Sequence, residues 1–227
     1  MKRKILTVFF LAAFCLMAFQ ANAVAYVNIQ FINPGSGGYP LAENYSGYMG
    51  GESYSDAAGT YELRMQGVAN TFWGFCVDPA TGSFEYKPYT LQAITDPIEK
   101  AAAWLANSYQ SGLLSTMYTG QFSSQSELAA ATQTAIWELI LDTGLNVSPT
   151  NGNTYTYNSW ATLAQNLVNE AYSNHQNFDA SGWRWAHSPE GIGHVQDLLI
   201  PNVPIPGAVW LLGSGLLGLV AIRRRFK

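Results

Sequence analysis

The chain is poor in charge, in interior basic residues and in cysteine. Charged residues are 11% of the 227, where ordinary soluble domains carry about 25%. With 14% aromatic and 48% hydrophobic residues, this is not the composition of a disordered chain. The 21 glycines and 10 prolines follow no triplet period, which excludes collagen. Between residues 24 and 200 the only basic residues are Arg64, Lys87, Lys100 and Arg184, against all 15 acidic residues, leaving a net charge of −11 there. Phosphate binding needs clustered Lys and Arg, so nucleic acid is excluded as a partner. The histidines, His175, His187 and His194, have neither a cysteine nearby nor the compact spacing of metal ligands, and surface or loop roles are expected. No cofactor is implied. A Cys-His hydrolase would need one of them beside Cys76, and nothing in the spacing places it there. With 15 acidic residues a glycosidase-like pair can always be drawn, so such a pair is not evidence.

The two ends carry what the middle lacks. Lys2, Arg3 and Lys4 precede an apolar run from Ile5 to Phe19, and Ala21-Asn22-Ala23 supplies a small-x-small cleavage pattern. Residues 1–23 therefore read as a secretory signal peptide, the alternative being an uncleaved anchor. Cys15 would leave with it, so Cys76 is the one mature cysteine and an intrachain disulfide is not expected. At the other end, residues 201–227 begin with the rigid entry Val203-Pro204-Ile205-Pro206. An uncharged stretch of 16 residues, Gly207 to Ile222, then leads to Arg223, Arg224 and Arg225. As a helix that stretch is about 24 Å long, short of a ~30 Å hydrocarbon core. The arginines would remain cytoplasmic and the body would face outward. This order resembles the PEP-CTERM sorting signal in its VPxP-type variant. The resemblance implies an exosortase-type processing enzyme as partner, export across the inner membrane of a Gram-negative-type cell, transient membrane anchoring, and delivery to the cell surface or a biofilm matrix. The plainer alternative is a C-terminal membrane anchor.

Residues 24–200 suffice for a single core. Their first half reads as strands: 26–32 and 61–65 alternate apolar with polar residues, 71–77 is an aromatic run, and 84–86 is a short candidate stopped by Pro88. Their second half reads as helices. Asp96-Pro97-Ile98-Glu99 opens one that runs to about Tyr109, and Ser124-Gln125-Ser126-Glu127 opens another to about Thr143. A third spans Asn158 to about His175, with Leu163, Leu167 and Ala171 on one stripe. Strands followed by helices predict an α+β fold, a β-rich part packed on a helical part in a single domain.

Within the second helix, Glu127, Thr134, Glu138 and Asp142 share a face expected to be solvated. Ala129, Gln133, Ile136, Trp137 and Ile140 share the opposite, apolar face. A buried Gln133 needs partners for its carboxamide, at a cost of about 1–3 kcal/mol without them. A hydrogen bond to loop backbone would satisfy it, as burial among hydrophobes would explain Cys76. A second explanation joins the two: a Cys thiolate attacks a Gln carbonyl, expels ammonia and leaves an internal thioester. An incoming amine is then acylated, and the thiol is freed. Trp73, Phe75 and Trp137 would keep water off such a bond. Trp137 also reads simply as core, and Asp78 as an organiser of the motif loop through backbone hydrogen bonds or an ordinary Asx turn.

Phe75-Cys76-Val77-Asp78 and Gln133-Thr134-Ala135-Ile136-Trp137 resemble the two motifs of bacterial surface thioester domains. The Ala-rich helix carrying Trp104 resembles the same family, over roughly residues 60–145. The resemblance implies a Cys76–Gln133 thioester between a β-rich and a helical part. It also implies a covalent adhesin that reacts once, and so is not an enzyme, with an amine-bearing surface protein or matrix component as partner. The competing expectation is a non-covalent structural or polysaccharide-binding matrix protein, in which 13 Tyr and seven Trp serve the core or stack on sugars.

Overall fold

A computed structural model describes residues 26–32, 41–49, 52–78, 82–141, 155–156, 158–189 and 195–203. The expected signal peptide lies outside the described residues. So do Pro204, Ile205, Pro206, the apolar stretch 207–222, Arg223, Arg224, Arg225, Asp142 and His194. Among the described residues no helix is long and apolar enough to cross a membrane.

The alternating early segments become strands β1 (Tyr26–Phe31), β2 (Leu41–Met49), β3 (Glu52–Met65), β4 (Phe72–Cys76) and β5 (Lys87–Ala93). Two further strands, β7 (Trp183–His187) and β8 (Leu198–Pro201), arrive only after the helices, and a two-residue β6 (Tyr155–Thr156) precedes the last helix. Antiparallel ladders run in the order β1-β5-β7-β8-β4-β3, and β3 returns to β1, so six strands close into a barrel. Closure pairs each of the six on both sides and leaves none as an open edge. The long β3 serves two purposes. Its C-terminal part completes the barrel, while residues 52–60 pair with the whole of β2, which also carries β6.

The helices are α1 (Pro97–Gln110), α2 (Leu113–Met117), α3 (Gln125–Leu141) and α4 (Ala161–Asn174). Asp96 caps α1, its carboxylate accepting from the backbone N–H of Ile98 at 2.8 Å and of Glu99 at 3.3 Å. Ser124 Oγ accepts from the Glu127 N–H at 3.0 Å at the start of α3. The Glu127 carboxylate turns back to the N–H of Ser123, one residue earlier than a capping box would place it. Ala101, Ala102, Ala103 and Ala106 of α1 and Ala129, Ala130, Ala131 and Ala135 of α3 are fully buried, small residues that let the helices approach closely.

Among the described residues the result is α+β: a barrel and a layer of four helices sharing strands β4, β7 and β8 as their boundary. Side chains alternate across a strand. Along β4 and just beyond it, Phe75 and Val77 accordingly join the helical core, while Cys76 joins the barrel core with Leu63, Tyr89, Leu198 and Ile200.

Three expectations need correction. The segment 84–86 is not a strand; β5 starts at Lys87 and contains Pro88. Proline is tolerated there because β5 pairs only with β1 at that point, its ladder to β7 beginning at Thr90. The face of α3 expected to be solvated is enclosed at its middle: Thr134 and Glu138 are fully buried, while Glu127 at its start is partly exposed. The helix is enclosed by α1, α4 and the β2–β3 ribbon, whose Tyr45 and Ala58 pack in the same core. Finally, strands do not all precede helices, because β8 must insert between β4 and β7 to close the barrel.

Candidate functional site

Two residues before Cys76, β4 has no room for a side chain. A Cβ on Gly74 would lie 2.7 Å from Leu63 Cδ1 and 3.0 Å from the Leu199 carbonyl oxygen. Glycine thus lets β3 and β8 close tightly on β4 just before the cysteine. The ladder to β3 ends at the pair Tyr61–Gly74, while the ladder to β8 continues through Phe75–Leu199 and Cys76–Leu198. Extending the first ladder would set Gly59 opposite Cys76. The carboxamide of Gln133 does that work instead. The Cys76 N–H donates to Gln133 Oε1 at 3.0 Å, and Gln133 Nε2 donates to the Cys76 carbonyl at 2.6 Å. The side chain of α3 thus mimics a strand. Both residues are wholly inaccessible to solvent.

The other residues singled out from sequence take these places. Phe75 meets Tyr109 edge to face, with centroids 5.6 Å apart. Trp137 meets Tyr45 in the same way at 5.3 Å and is fully buried, as is Ile136. Trp73 is only partly buried, and its carbonyl accepts from Gln110 Nε2 at 2.9 Å. Asp78 bonds to a remote segment: its Oδ2 accepts from the Asp197 N–H at 2.9 Å, and its carbonyl accepts from Gln196 Nε2 at 2.8 Å. Val203, first residue of the expected sorting motif, packs against the barrel core.

Of the described histidines, His175 alone departs from the surface or loop role expected. His175 is buried, with Nδ1 2.7 Å from the Tyr172 carbonyl. His187 ends β7, with Nδ1 2.6 Å from Asp197 Oδ2. The sequence reading missed Asp197 altogether, along with Tyr89. The Tyr89 hydroxyl donates to the Gln196 carbonyl at 3.1 Å. Burial first, then the proximity of Cys76, Asp197 and Asp78, holds that hydroxyl far above its ordinary range, so it stays protonated. No motif marks these residues. The pairing of β8 with β4 brings Asp197 near Cys76, and closure of the barrel brings Tyr89 into the same core. Among the described residues no group of three or more His, Cys, Asp or Glu is placed to hold a metal ion.

Chemically, the arrangement presents an oriented carboxamide to the backbone of a cysteine. The Cys76 N–H points at the oxygen that would carry negative charge if a nucleophile added to the Gln133 carbonyl.

A search of curated proteins and a search of solved structures each found no match. Residues 73–173 match the family model for the thioester domain, a span that runs from β4 into α4 and contains both Cys76 and Gln133. Over that span, the chain is similar to thioester domains.

Proposed function

We propose that Cys76 and Gln133 form an internal thioester through which the protein captures amines on a partner surface. The observation that carries this reading is the reciprocal pair of hydrogen bonds between the Gln133 carboxamide and the Cys76 backbone. In the forming step the Cys76 sulfur adds to the Gln133 carbonyl carbon, with the Cys76 N–H as donor to the developing oxyanion. The C–N bond breaks, and the thiol proton leaves with the amide nitrogen as ammonia. In the capture step an amine adds to the same carbon. The C–S bond breaks, the amine proton returns to sulfur, and the partner is left in amide linkage to Gln133. The protein reacts once and is adhesin-like rather than an enzyme. The sequence resemblance adds export, exosortase processing and surface or matrix display. The partner on this reading is an amine-bearing surface protein or matrix component.

The intact mass of the purified protein, kept non-reduced and free of amines, tests the bond. A deficit of one ammonia, about 17 Da, is expected, absent in Cys76→Ala and replaced by an adduct with methylamine. A full mass with a titratable thiol would overturn the reading.

One observation favours the non-covalent matrix protein. The Gln133 carboxamide is hydrogen-bonded at both ends, so its burial has a sufficient explanation without any reaction. On that reading Cys76→Ala retains all binding to matrix polysaccharide.

A further inference from the structure

Val77 and Asp78, the residues after Cys76, are bonded to the start of β8. The Val77 N–H donates to the Asp197 carbonyl at 3.1 Å, the Asp197 N–H donates to Asp78 Oδ2 at 2.9 Å, and Gln196 Nε2 reaches the Asp78 carbonyl at 2.8 Å. Asp197 is thus bonded through its backbone to two consecutive residues that follow the cysteine.

Its own carboxylate is fixed as firmly. Oδ1 accepts from the Ser188 N–H at 2.7 Å, and Oδ2 accepts from Trp185 Nε1 at 3.2 Å and from His187 Nδ1 at 2.6 Å. The side chain of Asp197 is 10% exposed, against 41% for His187. A carboxylate this deeply placed is stable only when its oxygens are satisfied, and here three donors, all from β7 or the residue after it, satisfy them.

We propose that Asp197, locked by Ser188, Trp185 and His187, is a positioning residue that sets the Cys76–Asp78 segment against Gln133. The proposal rests on the thioester reading for its chemical consequence. The ladder of β4 to β3 ends before Cys76, so the direction of the Cys76 N–H depends on the β8 side and on Gln133. The Asp197 carboxylate holds the start of β8 to the end of β7, and the Asp197 backbone holds Val77 and Asp78. Releasing the carboxylate frees the backbone clamp and lets the Cys76 N–H swing away from Gln133 Oε1. Shifts on the order of 1 Å at a reacting pair cost about 100-fold in rate. Asp197 and His187 both lie beyond residue 173, outside the span of the family match.

The test compares the full chain with Asp197→Ala, Asp197→Asn and His187→Ala. Three quantities are read: the rate at which the ammonia deficit appears, hydrogen exchange at the Cys76 and Val77 amides, and the melting temperature. Asp197→Ala is expected to slow the deficit by about tenfold or more and to speed exchange at Cys76 and Val77 by a similar factor. Exchange at Leu63 and Ile29 should stay at the wild-type rate. Asp197→Asn keeps an acceptor for Ser188 but puts an NH2 donor where Oδ2 met Trp185 and His187, so it and His187→Ala should each recover part of both signals. Wild-type behaviour in Asp197→Ala overturns the proposal. So does a uniform rise in exchange across the barrel, which would mean a purely structural role. If the wild-type protein shows no deficit, the thioester reading fails by itself, and the exchange comparison still decides the positioning claim. If Asp197→Ala does not fold, Asp197→Asn and His187→Ala carry the same comparison.

Discussion

At the scale of single residues, the contact between Cys76 and Gln133 is asymmetric. Gln133 contributes its side chain, while Cys76 contributes its backbone, leaving the thiol uninvolved in those two hydrogen bonds. The two positions should therefore respond differently to truncation. Measured against the protein before the bond forms, Cys76→Ala removes one small buried group, keeps both hydrogen bonds, and is expected to cost about 1 kcal/mol while abolishing capture. Gln133→Ala leaves a buried N–H and a buried carbonyl without that partner, at about 1–3 kcal/mol each, and abolishes capture as well. Urea titrations of the two variants check the difference, and equal stability would remove the strand-mimicking role of Gln133. Complete burial of both residues has a further effect. Bulk water is kept from the carbonyl, and on the proposed thioester reading an amine would reach it through a local parting of the barrel and the helical layer.

At the scale of elements, what was legible depended on how local the signal is. The caps of α1 and α3 were readable because Asp96 and Ser124 act within three residues of themselves. β7 and β8 were not, because their place is set by ladders to β5 and β4, more than 90 residues away in the chain. The same reason hid Asp197. The fully buried Thr134 and Glu138 were misassigned because helical periodicity assumes one solvent face, and the β2–β3 ribbon covers the face that polarity would have left open. The start of α3 supplies a pH prediction. The hydroxyl and N–H of Ser123 first, and then the Ser159 hydroxyl, hold the Glu127 carboxyl below its ordinary range. A carboxyl depressed in the folded state adds stability that is fully present above its unfolded value. That stability is lost as pH falls through the folded value. Glu127→Gln should therefore flatten the acid limb of the stability profile and leave a smaller difference between pH 6 and pH 3 than in the wild type. Unchanged acid sensitivity in thermal melts would exclude Glu127 as a contributor.

At the scale of the whole molecule, two cores meet along a single boundary, and the proposed reaction joins them. Phe75 and Cys76 face opposite cores from adjacent positions, and Gln133 reaches that boundary from the most enclosed helix. Cys76 and Gln133 lie 57 positions apart in the chain, so a bond between them would tie that length into a ring. Closing a ring of this size removes conformational freedom from the unfolded chain and is worth about 4 kcal/mol in the chain-entropy account. Capture of a partner cuts the ring while leaving the partner attached to Gln133. The protein that has found its target would then be the less heat-resistant form. Melting curves before and after methylamine treatment should show a drop that Cys76→Ala, having no ring to lose, does not show.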